Sequence, residues 1–288
     1  NHIRNEQNLG NYSYADLVKI KQSLVDSYVE VFYKKCLYAE YKHSDYSLMP
    51  DAKYTYDNFN QWHKPFFSSI IKEVKNENIV FISLNYDVLI DLVLHNLVDN
   101  NEIQDFTYGF DIYNLHSQDE KCRTSGILLL KPHGSINLTQ CWKCRRIFSS
   151  IFSAQGNKSI INSYKCNSCD GKLDAFILPP MFNKANEDEP FAIIHKKVSE
   201  IIASASEILI IGYSLPDYDV NILEAFLRGI VKNQNRFKLK IEIVDKNNDI
   251  NAHIKSKYNN IFHRIEKENY YINGFKSYAG QLLSVIQK

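Results

Sequence analysis

Four cysteines set the tightest limit on how this chain can fold. Cys141-x-x-Cys144 and Cys166-x-x-Cys169 are separated by 21 residues. Each pair can turn a tight knuckle that offers two thiolates to one metal. Two knuckles complete a tetrahedral four-thiolate site, the closed geometry of structural zinc. No ligand position stays open, so the expected zinc is structural rather than catalytic. The alternative is two unrelated thiol pairs. The stretch 138–176 holds all four cysteines and lacks the apolar periodicity around it, so it reads as an inserted zinc-ribbon lobe. Cys36 and Cys122 stand apart. In a chain of 288 residues this usage points to metal binding in a reducing, cytoplasmic compartment rather than to a disulfide framework. Lys143, Arg145 and Arg146 can touch phosphates, although a solvated charged face is the plainer reading.

Outside the lobe, short apolar runs alternate with helical patterns. Residues 13–40 place Leu17, Ile20, Leu24, Tyr28, Val31 and Phe32 at helical spacing, with Ser13 able to cap the start. Residues 57–75 predict a second helix. Ile79–Leu84 is too compact an apolar run for a helix and predicts a buried parallel strand. Asn85-Tyr86-Asp87 follows, then a helix with Leu89, Ile90, Val93, Leu94 and Leu97 on its apolar side. The same grammar gives strands at 127–130, 208–211 and 239–244, and helices at 189–204, 218–232 and 275–286. The fold class that follows is α/β, a Rossmann-like, mainly parallel sheet with helices on both faces. In such sheets ligands bind beyond the carboxyl ends of the strands, where Asn85, Asp87, His133, Ser214 and Asp245 fall.

Composition removes some functions. Lys and Arg total 34 and Asp and Glu 33, so no global field steers the chain to nucleic acid or an anionic membrane. No run of about 18 apolar residues is present, so none of it is expected to span a bilayer. The polar start, Asn-His-Ile-Arg-Asn-Glu-Gln, is not a signal peptide. With no initiator Met, the chain is expected to begin inside a longer protein. No internal repeat is evident.

Taken singly, each strand-end residue has a plain alternative. His133, in Pro-His-Gly-Ser, suits a general base near neutral pH but also a loop histidine with one structural hydrogen bond. Gly134 would let a ligand approach the backbone. Asn85 can cap the next helix, and Asp87 can be a first-turn carboxylate favoured by the helix dipole. Gly212-x-Ser214 suits the close approach of a ribose or phosphate, or a simple strand-to-helix turn. Asp245 can accept from ribose hydroxyls.

As an ordered set these pieces resemble the sirtuin-like superfamily, and within it the bacterial anti-phage-defence branch of NAD+ hydrolases. The carriers are Ser83-Leu84-Asn85-Tyr86-Asp87, Lys131-Pro132-His133-Gly134-Ser135, the four-cysteine insert and Ile211-Gly212-Tyr213-Ser214-Leu215-Pro216, within residues 79 to 245. The resemblance implies a sirtuin-like NAD-binding domain over 1–288 with the zinc ribbon at 138–176. It implies NAD+ hydrolysis at the nicotinamide–ribose bond, giving ADP-ribose and nicotinamide, in defence by NAD+ depletion. Its alternatives are an NAD-dependent protein deacylase and a non-catalytic nucleotide sensor or scaffold. His133 would be the base and Asn85 would hold the ribose or the attacking water. Asp87 would bind the carboxamide, and Gly212, Ser214 and Asp245 would line the adenosine side. Such activity often needs a homo-oligomer or a defence-system partner subunit, and the residues themselves show neither. The family's opening strand and Gly-Ala-Gly-x-Ser loop has no counterpart here, and residues 13–40 resemble the helices after it. That segment is expected upstream of Asn1.

Overall fold

The computed structural model describes residues 8–9, 12–13, 59–74, 79–115, 121–122, 125–149, 165–178, 189–246, 251–262 and 269–286. In chain order the elements are β1 (Asn8–Leu9), β2 (Tyr12–Ser13), a wide turn (Phe59–His63) leading into α1 (Lys64–Val74), β3 (Val80–Ile82), α2 (Leu89–Asp99), β4 (Phe106–Thr107), β5 (Ile112–Asn114), β6 (Lys121–Cys122), β7 (Ile127–Leu130), β8 (Gly134–Cys141), β9 (Ile147–Ser149) and β10 (Leu173–Ile177). They continue with α3 (Glu189–Ser204), β11 (Glu207–Ile211), α4 (Val220–Lys232), β12 (Lys240–Val244), α5 (Asn251–Phe262), β13 (Tyr270–Tyr271) and α6 (Gly274–Ile286). Among the described residues no helix is long and apolar enough to cross a membrane.

The chain divides into two compact units. One contains the described helices and two three-stranded parallel sheets, ordered β3-β7-β4 and β11-β12-β13. The apolar runs become strands because their side chains are buried on both faces where a strand is central: Leu129 and Leu130 of β7, and Ile241, Ile243 and Val244 of β12, are all in the core. Among the described residues β3 and β11 each pair with a single neighbour. Ile208, Leu209 and Ile211 of β11 remain only half-buried. Helices α3 and α4 pack closely because Gly229 has no side chain: a Cβ there would lie 2.6 Å from Cβ of Ile202. Phe66 of α1 meets Phe275 and Tyr278 of α6 edge-on, closing another part of this core.

The second unit carries the cysteines on a five-stranded sheet ordered β10-β8-β9-β5-β6. β8 pairs antiparallel with both β10 and β9. Gly134, at φ +78°, opens β8; a Cβ there would lie 2.0 Å from the Phe176 carbonyl oxygen. The backbone of β10 thus takes the space a side chain at Gly134 would need.

Most expected elements are present, with shifted ends: the strand expected at 79–84 spans Val80–Ile82, and the helices expected at 57–75 and 218–232 span Lys64–Val74 and Val220–Lys232. Ser13, read as able to cap a helix, lies in β2, in register with Asn8 of β1. The remainder of the 13–40 helix lies outside the described residues. The strand expected at 239–244 starts at Lys240.

Candidate functional site

The candidate site is built at the carboxyl ends of β3, β7 and β11. Parallel pairing of β3 with β7 runs one residue past the strand, where the Ser83 amide donates to the Leu130 carbonyl at 2.9 Å. Beyond it the chain turns outward through Asn85, which is exposed. The Asp87 carboxylate accepts from the Leu89 amide at 3.0 Å, a side-chain-closed turn that starts α2. One oxygen of Asp87 is thus engaged in local structure.

After β7 comes Lys131, fully buried. Its Nζ donates to Asp91 at 3.1 Å and to the backbone carbonyl of Asp87. Asp91, also fully buried, accepts from the hydroxyl of buried Tyr108. The cation thus pins the Asn85–Asp87 loop to the end of β7 from beneath. Neither Lys131 nor Asp91 was singled out from sequence, because a lysine after a strand reads as surface.

His133 is 7% exposed, and both ring nitrogens have partners. Nδ1 lies 3.0 Å from the Leu84 carbonyl, and Nε2 lies 2.9 Å from Oδ1 of Asp219. A carbonyl only accepts, so Nδ1 is the donor. The Tyr86 ring lies tilted beside the imidazole, with centroids 6.0 Å apart. The structure therefore brings His133 against the Asn85–Asp87 loop, as its position after a strand suggests.

The third wall is the loop between β11 and α4. Gly212 has φ +63° and open space around it, so its backbone is approachable from solvent. Ser214 is exposed. Between them, the hydroxyl of Tyr213 donates to Oδ2 of Asp219 at 2.8 Å. Burial, reinforced by the Asp219 charge, pushes the Tyr213 phenol well above its ordinary range. Helix α5 braces the loop: Tyr258 donates to the Tyr213 carbonyl at 2.6 Å, and Lys257 to Asp217 at 2.7 Å and the Leu215 carbonyl at 3.3 Å. Asp245 lies past the neighbouring strand β12, its carboxylate accepting from the Lys246 amide at 2.6 Å.

The cysteine cluster is the second candidate site. Its two knuckles repeat one backbone pattern. Cys141 accepts from the Arg145 amide and Cys166 from the Asp170 amide, each at 2.9 Å. Cys141 donates to Arg146 at 2.9 Å and Cys166 to Gly171 at 2.8 Å. Arg145 and Asp170, at matching positions, both take left-handed φ, 64° and 56°. All four Sγ atoms lie within 4.8 Å of one another. The nearest pairs, Cys141–Cys169 and Cys144–Cys166, are 3.5 Å apart, far beyond a disulfide bond of about 2.05 Å. A tetrahedral ion with thiolates at about 2.3 Å needs sulfurs spaced at about this range. The four cysteines are positioned to bind a metal. Gly171 makes room for them, since a Cβ there would lie 2.7 Å from the Cys141 sulfur. Burial raises the Cys144 thiol to about 12 and raises Cys166 too, whereas the Gly171 amide lowers Cys169 to about 7.

No family model matches the sequence. No curated protein matches it either. Solved structures do. A point mutant of a Sir2 homologue in complex with ADP-ribose is 12% identical at a TM-score of 0.50, covering 96% of this chain and 78% of that one. A second mutant of a Sir2 homologue with ADP-ribose is 12% identical at a TM-score of 0.45, covering 78% and 65%. A structure concerned with the mechanism and regulation of Sir2 enzymes is 13% identical at 0.43, covering 84% and 80%. At 12% identity the likeness to the first of these is one of fold: the chain has a sirtuin-like α/β fold.

Proposed function

We propose that this chain cleaves NAD+ between nicotinamide and ribose and passes the ADP-ribosyl group to water. The observation that carries the reading is His133, buried at the end of β7 and held between the Asn85–Asp87 loop and Asp219. Cleavage of that bond develops oxocarbenium character on the ribose. It needs a pocket that holds the nicotinamide and a base that activates the nucleophile. In this reading Asn85 holds the ribose or the attacking water, and Asp87 binds the carboxamide. His133 takes up the proton. Gly212, Ser214 and Asp245 line the adenosine side, which suits the open space around Gly212. The sirtuin-like fold and the ADP-ribose bound by the first Sir2 homologue favour this ligand class.

The same reading assigns zinc to the four thiolates, as a structural ion ordering the 138–176 insert. The donor set supports it: four sulfurs, no open position, and a glycine where a side chain would crowd them. The cellular role in this reading is defence by NAD+ depletion in the cytoplasm.

NAD+ consumption by the purified protein, with and without an acyl-lysine peptide, tests the reaction. The expected result is nicotinamide and ADP-ribose without peptide. Turnover only with peptide would make the chain a deacylase, and NAD+ binding without turnover would make it a sensor.

A further inference from the structure

The structure assigns Asp219 as the positioning residue of His133, so that the proton-accepting unit is the pair rather than the imidazole alone. This inference rests on the NAD+-cleaving reading above. Asp219 lies 86 residues beyond His133 in sequence, and its carboxylate is 2% exposed. A carboxylate so enclosed must be matched by donors. Asp219 has one on each oxygen: Nε2 of His133 at 2.9 Å and the Tyr213 hydroxyl at 2.8 Å.

Its backbone position sharpens the point. Asp219 is the residue from which α4 starts, and its carbonyl accepts the helix's first bond, from Leu223 at 3.0 Å. An aspartate there ordinarily turns its carboxylate onto the free amides of its own first turn. Asp219 makes no such bond. The carboxylate is directed instead across the site to the imidazole.

Two partners on opposite nitrogens then fix the ring. The Leu84 carbonyl holds Nδ1–H, so Nε2 is the nitrogen left to take up a proton, and Oδ1 of Asp219 faces it. When Nε2 takes the proton that leaves the attacking water, as the water oxygen bonds to the ribose carbon and nicotinamide departs, Oδ1 of Asp219 accepts the new N–H, and the two contacts set the ring's orientation beforehand. Tyr213 holds the second carboxylate oxygen and is itself held by Tyr258, so the pair is braced from β11 and α5.

The test is Asp219→Asn in the full chain, followed by nicotinamide release and by nitrogen NMR of the histidine rings. The expected result is a fall in kcat of about 10- to 100-fold with KM within about twofold. The Nε2 resonance of His133 should move while Nδ1 stays. Asp219→Glu should restore part of kcat. Wild-type kcat in Asp219→Asn, beside an inactive His133→Ala, would overturn the positioning role and leave the NAD+ reading intact. If the chain consumes no NAD+, that reading fails, and the NMR arm still decides the pair: an unmoved Nε2 resonance overturns it. Should Asp219→Asn not fold, Tyr213→Phe removes only the second anchor. It should lower kcat by about three- to tenfold and perturb Nε2, and no change in either would overturn the inference.

Discussion

At the scale of single residues, the site combines what sequence suggests with what only tertiary structure can assign. His133 was visible because a histidine just after an apolar strand is unusual. Asp219 was not, because an acidic residue ahead of a helical pattern reads as a cap. Lys131 was within the quoted Lys-Pro-His-Gly-Ser segment, yet nothing local predicts its burial. Its partner Asp91 lies in α2 and is fully buried beside it. Removing one charge from such a pair leaves the other stranded. Lys131→Met should therefore destabilise the protein by about 3–5 kcal/mol. The double variant Lys131→Met/Asp91→Leu should recover much of that loss. Chemical unfolding of the three proteins is the check, and a double variant worse than the single one would contradict the account. In NAD+ turnover, His133→Ala should lower the rate by about 100-fold or more with the fold retained by circular dichroism. Asn85→Ala should do comparable damage through lost positioning.

At the scale of elements, legibility followed length and periodicity. Helix α3 and strands β7 and β11 were readable because their apolar residues recur over a full element. Helix α5 is hard to read: its buried Tyr258, Ile261 and Phe262 sit at helical spacing but crowd one end of a segment otherwise rich in Asn and Lys. Strands β4 and β13 have two residues each, too few for any period to show. The knuckles were the opposite case, since doubled C-x-x-C spacing is itself the geometry. They carry predictions of their own. Gly171→Ala places a methyl against the Cys141 and Cys169 sulfurs, so zinc content by elemental analysis should fall. Cys166→Ser should do the same and destabilise the lobe. Metal uptake should also release protons, first from Cys144 and Cys166, whose thiols burial keeps protonated. Affinity should weaken as pH falls, because protons then compete for the same sulfurs. Calorimetry in buffers of different ionisation enthalpy measures the number released.

At the scale of the whole molecule, buried phenols set a limit on alkaline stability. Burial raises Tyr213, Tyr258 and Tyr278, and it raises Tyr270 to about 12. In the unfolded chain these groups ionise near about pH 10. A folded value above the unfolded one means that the native state holds its protons longer. Stability is then complete below about pH 10 and is lost as pH rises through the folded values. Tyrosinate absorbance from these residues should appear together with loss of ellipticity rather than before it. The two parallel sheets carry a further consequence, in the order of opening. One ladder of backbone bonds joins β4, β7 and β3, and another joins β11, β12 and β13. Amides of the central strands β7 and β12 are shielded on both sides, while β3, β4, β11 and β13 each present a flank without a described neighbour. In deuterium, these outer strands should label first and β7 and β12 last.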